Sequence, residues 1–166
     1  DSRQAGPGGL FAAMKGWKQE GVSFSKDAVA RGAAALLVDR PVDLAVPQLV
    51  VADVRTALPA LCSAFHGHPE RKLEFWGVTG TNGKTTTTLL LASILEAAGR
   101  KTGLIGTVFY GTRQDPRPSP MTTPDPPLLF EELARMANAG LHSVVMEVSS
   151  HALCQNRVQG ISFAGA

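Results

Sequence analysis

The feature that most constrains the fold is a glycine-containing loop between a short apolar run and a helical pattern. The loop reads Gly-Thr-Asn-Gly-Lys-Thr-Thr over residues 80–86. Residues 75–79 before it predict a strand, residues 84–98 predict a helix that Gly99 ends, and residues 102–108 predict a second strand. A strand, a helix and a strand in this order indicate a βαβ unit, which belongs to a parallel sheet.

The same loop has the residue types of a phosphate-binding loop. Glycines let several backbone N–H groups turn toward one anion, and the helix N-terminus adds its positive end. Lys84 would reach the β- and γ-phosphates of a nucleotide, and the Thr85 hydroxyl would ligate Mg²⁺. The strict G-x-x-x-x-G-K-[ST] pattern is not met, because Val78 stands five positions before Gly83. A simple helix-capping turn is less favoured, since the four threonines 85–88 are weak helix formers.

Beyond the βαβ unit the sequence predicts a connector, a helix and a buried strand. Six prolines crowd residues 116–127 and predict an absence of regular structure. Asp125 is expected to cap a helix over 126–139 that buries Leu129, Leu133 and Met136. The apolar run 143–148 lacks alternation, which is typical of a parallel strand covered on both faces.

Glu147 lies near the end of that last apolar run. A carboxylate in such a place is costly unless it is paired or binds a metal. Its residue type fits a Mg²⁺ ligand, and the alternative is a structural carboxylate that accepts hydrogen bonds from a neighbouring loop.

The first part of the chain predicts a second, smaller α/β segment. Its elements are a helix over 26–31 with Ser25 as cap, strands over 35–38 and 48–51, and a helix over 54–65 despite Pro59. We expect an α/β fold with domains at 1–71 and 72–166. The chain opens at Asp1 without methionine and stops where a strand begins, so we expect a fragment with an incomplete second domain and no C-terminal domain.

Composition narrows the function classes. With 44% hydrophobic and 18% charged residues, the chain is expected to fold around a core. Sixteen Lys and Arg against fourteen Asp and Glu give +2, which speaks against nucleic-acid and membrane-surface partners. Cys62 and Cys154 lie far apart and predict reduced thiols in a cytoplasmic protein. No apolar run approaches the roughly 20 residues that span a bilayer.

Three further strings stand in order with the loop: Asp1-Ser2-Arg3, Thr122-Thr123-Pro124 and Met146-Glu147-Val148-Ser149-Ser150-His151-Ala152-Leu153. Together they resemble the Mur ligase family, above all its branch that adds a diamino acid to UDP-N-acetylmuramoyl-L-alanyl-D-glutamate. The resemblance implies a UDP-binding first domain, a P-loop ATPase central domain, and ATP and Mg²⁺ as cofactors. It also implies ADP-forming amide-bond synthesis through an acyl phosphate, in peptidoglycan biosynthesis, by a monomer that adds meso-diaminopimelate or L-lysine.

The resemblance also implies residue roles. Lys84 and Glu147 would be catalytic, and Thr85 and Glu147 would hold the metal. ATP would bind the loop residues Gly80, Thr81, Asn82, Gly83, Lys84, Thr85 and Thr86. The UDP-linked substrate would bind Ser2, Thr122, Thr123, Ser149, Gln155 and Arg157. Without the resemblance, Arg157 would be interpreted as a solvated surface arginine. The segment 17–19 is a weaker candidate for nucleotide contact, and His151 is assigned no proton transfer.

Alternatives remain open at this point. One is another Mur-type ligase, or a folylpolyglutamate- or cyanophycin-type ligase that shares the loop. The Asp1-Ser2-Arg3 opening argues against the polyglutamate enzymes, which lack the UDP-binding domain. A P-loop NTPase switch is less favoured, because the comparable strand ends in Glu147 where such modules carry an aspartate. A binding module for a UDP-linked ligand is the third alternative.

Overall fold

The computed structural model describes residues 2–16 and 20–166, which form two compact units, Asp1–Leu58 and Pro59–Ala166. The division falls inside a helix. The predicted domain boundary after residue 71 remains a proposal, since a compact unit and a domain are different divisions of a chain.

The first unit is built on a three-stranded parallel sheet. The strands pair in the order β1-β2-β3, and β2 is the buried central strand. The elements are β1 (Leu10–Ala12), α1 (Ser25–Ala30), β2 (Ala35–Val38) and β3 (Gln48–Val50), and α2 (Val54–Phe65) begins here. Phe11, Ala28, Leu36 and Val38 form the centre of its core.

The second unit is built on a six-stranded sheet with the strand order β7-β6-β5-β8-β4-β9. Strands β4, β5, β8 and β9 pair in parallel, whereas β6 and β7 are antiparallel and lie at one edge. The elements are β4 (Glu74–Val78), α3 (Lys84–Ala97), β5 (Thr102–Ile105), β6 (Tyr110–Gly111), β7 (Pro116–Arg117), α4 (Pro126–Asn138), β8 (Ser143–Glu147), α5 (Ser150–Cys154) and β9 (Phe163–Gly165).

Helices cover both faces of this sheet. Alternate residues of a strand point to opposite faces. Val145 of β8 packs against Ala92 and Leu95 of α3, whereas its neighbours pack against α4. The α4 face buries Phe75, Ile105, Leu129, Phe130, Leu133, Met136, Val144 and Met146. All five residues of β8 are buried, as its uninterrupted apolar run predicts. The loops after β4, β5 and β8 therefore meet at one edge of the sheet, where ligands of open α/β sheets bind.

Several sequence predictions need correction. Ser25 does not cap α1, because a 3₁₀ turn over Gly21–Phe24 leads into the helix and Ser25 is its first residue. The connector is not free of regular structure, since Pro116 lies in β7 at the sheet edge, where a missing N–H costs little. Asp125 stands at the N-cap of α4 but makes no side-chain capping bond.

The predicted strand over 102–108 ends at Ile105. The described part of the sheet holds six strands rather than the three that the sequence indicates. No helix in the described ranges is long and apolar enough to cross a membrane.

Candidate active site

The phosphate-loop candidate connects β4 with α3, as predicted. Gly80 and Gly83 have φ angles of 136° and 80°, a region that favours glycine, and Gly83 directly precedes α3. Lys84 reaches back across the loop, and its Nζ donates to the Gly80 carbonyl oxygen at 2.8 Å. The loop thus places a lysine ammonium and the amino end of a fourteen-residue helix side by side.

Glu147 is the centre of a hydrogen-bond cluster at the carboxyl ends of β4, β5 and β8. Its side chain is buried, with the residue 1% exposed. Oε1 accepts hydrogen bonds from the Thr85 hydroxyl at 3.0 Å and from the Thr107 backbone N–H at 2.8 Å. Oε2 accepts from the Thr107 hydroxyl at 3.1 Å. The structure therefore brings the predicted pair Thr85 and Glu147 into direct contact.

The donors around Glu147 are all neutral. Among the described residues, none of the ion pairs involves this carboxylate. A buried negative charge without a cation is costly, and the hydrogen bonds offset only part of that cost. A hydroxyl and a carboxylate oxygen are ligands that suit Mg²⁺, which keeps several waters and phosphate oxygens of its own. The residues present thus fit a magnesium ion held by Thr85 and Glu147.

Gly106 and Thr107 also belong to this cluster, although neither is among the site residues predicted from the sequence. A Cβ on Gly106 would lie 2.5 Å from Oε1 of Glu147, so only glycine lets the carboxylate take this position. Thr107 contributes both of its polar donors to Glu147. The available signal was their place immediately after a buried parallel strand, where ligand-binding residues collect.

The threonines of the connector lie beside Glu147. The hydroxyls of Thr122 and Thr107 are 3.1 Å apart. Thr123 is buried, donates its hydroxyl proton to the Glu147 carbonyl oxygen at 2.7 Å and accepts from the Ser149 N–H at 3.0 Å. The connector is thereby fastened to the end of β8.

The remaining predicted substrate residues of the second unit form a contiguous group. Ser149 caps α5, since its Oγ accepts from the Ala152 N–H at 3.2 Å. Arg157 donates to the Thr123 carbonyl oxygen at 2.7 Å and to Gln155 Oε1 at 2.7 and 3.0 Å. Its Nε also lies 3.1 Å from Asp125 Oδ1. With its side chain 17% exposed, Arg157 is not a solvated surface arginine.

Ser2 belongs to the first unit and is not part of this group. It is buried, and its hydroxyl hydrogen-bonds to Asp27. That bond, with a second one from Arg31, lowers the pKa of Asp27. The candidate segment 17–19 lies outside the described residues. His151 is exposed.

Two protein-family models match the chain in succession. Residues 1–70 match the model described as "Mur ligase family, catalytic domain", and residues 78–166 match the one described as "Mur ligase middle domain". The chain belongs to the Mur ligase family, which confirms the resemblance.

Among curated proteins, it is 45% identical over 163 residues to the UDP-N-acetylmuramoyl-L-alanyl-D-glutamate--2,6-diaminopimelate ligase of Geobacillus kaustophilus, with 98% of this chain and 33% of the relative covered. The chain thus spans about a third of the length of the curated relatives it matches.

Solved structures agree. A structure of a UDP-N-acetylmuramoyl-L-alanyl-D-glutamate--2,6-diaminopimelate ligase superposes with a TM-score of 0.81 at 29% identity, over 98% of this chain and 34% of that one. A MurF ligase from Thermotoga maritima in complex with ADP gives 0.62 at 25% identity, over 90% and 31%. The predicted fold class is confirmed, and the diaminopimelate ligase is the better match of the two.

Proposed function

We propose that the protein containing this chain is an ATP-dependent, ADP-forming ligase that joins a diamino acid to UDP-N-acetylmuramoyl-L-alanyl-D-glutamate in peptidoglycan biosynthesis. The observation that carries the proposal is the 3.0 Å contact between Thr85, on the phosphate loop, and the buried Glu147 carboxylate, which has no cation among its described partners. The relatives' names support the substrate class and favour 2,6-diaminopimelate over L-lysine.

ATP is proposed to bind with its phosphates on residues 80–86. Lys84 would exchange its bond to the Gly80 carbonyl for the β- and γ-phosphates. Thr85 and Glu147 would hold Mg²⁺, which would neutralise phosphate charge once bound. Lys84 and Glu147 are therefore the proposed catalytic residues, one facing the transferring phosphoryl group and the other facing the metal.

The proposed reaction has two steps. The substrate carboxylate attacks the γ-phosphorus of ATP, and the bond from that phosphorus to the oxygen of the β-phosphate breaks. ADP departs, and the substrate becomes an acyl phosphate. The amine of the diamino acid then attacks the acyl carbon, phosphate leaves, and the amine loses a proton. A free carboxylate is a poor electrophile, so phosphorylation supplies the leaving group. The chain's own contribution is positioning and charge stabilisation.

The UDP-linked substrate is proposed to contact Ser2 in the first domain and Thr122, Thr123, Ser149, Gln155 and Arg157 in the second. Thr123, Ser149, Gln155 and Arg157 share one hydrogen-bond network at the end of β8. Thr122 is linked to the same strand end through Thr107, which bonds to the Glu147 carboxylate. The planar guanidinium of Arg157 suits a carboxylate or phosphate group. We further propose domains at 1–71 and 72–166, and a cytoplasmic monomer that binds neither nucleic acid nor membrane.

The test is an ADP-release assay on the full-length protein with Mg²⁺, ATP and UDP-N-acetylmuramoyl-L-alanyl-D-glutamate. Separate reactions add meso-diaminopimelate or L-lysine, and a further reaction offers D-alanyl-D-alanine together with the UDP-linked tripeptide that ends in diaminopimelate. Mass spectrometry identifies each product. We expect a tripeptide product with diaminopimelate that requires both ATP and the dipeptide substrate. Ligation of D-alanyl-D-alanine alone would identify another Mur-type activity, and ATP hydrolysis without any ligation product would contradict the proposal.

A further inference from the structure

A second buried carboxylate, Glu132, lies outside the site described above. It lies on α4, is 2% exposed, and stands next to the core residue Leu133. Its Oε2 is buried and has no hydrogen-bond partner among the described residues. Well-packed apolar side chains often replace such a buried charge without loss of stability, so the retained carboxylate suggests a role beyond packing.

The titratable groups that face Glu132 lie on α4, on β6 at Tyr110, and on the segment 115–117. Arg117, the last residue of β7, places its Nε 3.4 Å from Oε1. Arg135 on α4 is 4.0 Å from Oε2 and half exposed. Burial raises the pKa of Glu132, Glu131 and Asp115 raise it further, and Arg117 opposes them. Arg117 is thus the cation that joins Glu132 to another element.

The strands β6 and β7 form a hairpin, and the connector continues from β7 to Thr122 and Thr123. The Tyr110 hydroxyl of β6 donates to the Met121 carbonyl oxygen. The Ser119 hydroxyl, two residues after β7, donates to the Gly106 carbonyl oxygen at 2.6 Å. The connector is thus fastened to the hairpin by Tyr110 and to the loop after β5 by Ser119, so a shift of the hairpin would move the connector against the Glu147 cluster.

Each strand of this hairpin has only two residues. So short a ladder specifies its register weakly, and a side-chain contact at a defined place can fix it. We propose that Glu132 is a positioning residue for binding of the UDP-linked substrate: through Arg117 it fixes the β6–β7 hairpin and thereby the connector that carries Thr122 and Thr123. The inference rests on the proposed function, because these threonines are proposed substrate contacts.

The kinetic test compares Glu132→Gln with Glu131→Gln in the full-length protein. Glu131 is the matched control, since it lies on the same helix but is exposed, and its ion pair among the described residues is with Arg135 of that helix. We expect Glu132→Gln to raise the KM for the UDP-linked substrate about tenfold, because small displacements of positioning groups have large effects. The KM for ATP should stay within about twofold of wild type, because the direct contacts of the phosphate loop, Lys84 with Gly80 and Thr85 with Glu147, involve neither Arg117 nor the hairpin.

A double variant tests the route through Arg117. If the two side chains act as a pair, Arg117→Gln should raise the same KM, and Glu132→Gln with Arg117→Gln should raise it no further. Arg117 is partly exposed, so its variant also tests the contact if Glu132→Gln fails to fold. Equal increases in the KM for ATP and for the UDP-linked substrate would overturn the proposal, as would additive effects in the double variant.

Hydrogen exchange supplies a readout that needs no activity. The backbone amides of Ser119, Met121, Thr122 and Thr123 should exchange faster in Glu132→Gln than in Glu131→Gln. If the wild-type protein ligates nothing, the proposed function fails while the exchange difference still reports the anchoring of the connector. Unchanged exchange over 119–123, together with an unchanged KM for the UDP-linked substrate, would overturn the inference and leave the proposed function intact.

Discussion

Two buried carboxylates in the second unit have opposite surroundings. Glu147 receives three hydrogen bonds from Thr85 and Thr107, all neutral donors, and joins no ion pair among the described residues. Glu132 has Arg117 at 3.4 Å but leaves one oxygen without a hydrogen bond. Glu147 is well bonded but lacks a counter-charge, which suits an exchangeable cation, whereas Glu132 has its counter-charge built into the fold. The contrast distinguishes a ligand site from a structural anchor.

The largest effect is expected from Lys84→Ala. It removes the lysine ammonium of the phosphate loop, next in sequence to Thr85, which contacts Glu147. Turnover should fall by about 10³-fold, because a lysine on the phosphate loop stabilises charge during transfer. Binding of the UDP-linked substrate, measured by calorimetry, should be nearly unchanged. Lys101→Ala serves as the control, since this exposed lysine precedes β5 at the opposite end of the strand from the site. Equal losses of turnover and of substrate affinity would refute the separation of the two sites.

Glu147→Gln should separate the two carboxylates most clearly. The amide keeps the shape and removes the charge, so turnover should fall by about 10²-fold and ATP binding should depend less on Mg²⁺. The temperature of unfolding should change little, because the oxygen acceptor for Thr85 and Thr107 can be retained. Mg²⁺ titrations of ATP binding, beside Glu131→Gln as a control, provide the measurement. Wild-type kinetics at limiting Mg²⁺ would mean that Glu147, like Glu132, has a structural role and does not hold the metal.

Gly106→Ala tests whether the position of the Glu147 carboxylate matters without changing any charge. The added Cβ would lie 2.5 Å from Oε1, so the carboxylate or the β5 loop must move. Overpacking of this kind costs about 1–3 kcal/mol of stability. We also expect weaker Mg²⁺ dependence of ATP binding. Gly6→Ala is the control, because a Cβ at Gly6 would meet no neighbouring atom and the residue has an ordinary φ. Gly99→Ala would not serve, because Gly99 has a positive φ. Normal Mg²⁺ dependence in Gly106→Ala would show that the site tolerates displacement.

The longer elements could be predicted from sequence. The helix Val54–Phe65, the strand Ala35–Val38 and the start of α3 at Lys84 agree with the structure, because periodic apolar patterns and glycine stops are local signals. The strands β6 and β7 could not be predicted, since two residues hold no period.

The residues of the site divide in the same way, into those that a local motif predicts and those that only the tertiary fold brings together. Lys84, Thr85 and Glu147 stand in recognisable strings, so the motif predicts them. Thr107 is forty positions from Glu147, and only the parallel pairing of β5 with β8 brings the two together. The partner of a buried charge is likewise a tertiary property: nothing local to Glu132 indicates that Arg117, on an edge strand, would pair with it.

The smallest expected effect is the pH dependence of what Glu132 contributes to protein stability and to substrate binding. It is also the most specific test of the contrast between the two carboxylates. Burial raises its pKa in the folded state, so the folded protein binds this proton more tightly than the unfolded chain does. As pH falls through the raised pKa toward the unfolded value, Glu132 should therefore add stability to the wild type relative to Glu132→Gln.

Protonation also removes the charge that holds Arg117, so the KM for the UDP-linked substrate should rise over the same range. Stability and substrate binding should thus change in opposite directions in the wild type, and both pH dependences should be weaker in Glu132→Gln. Chemical denaturation and steady-state kinetics at matched pH values measure the two trends, and a KM that improves as stability increases would show that Glu132 acts through stability alone.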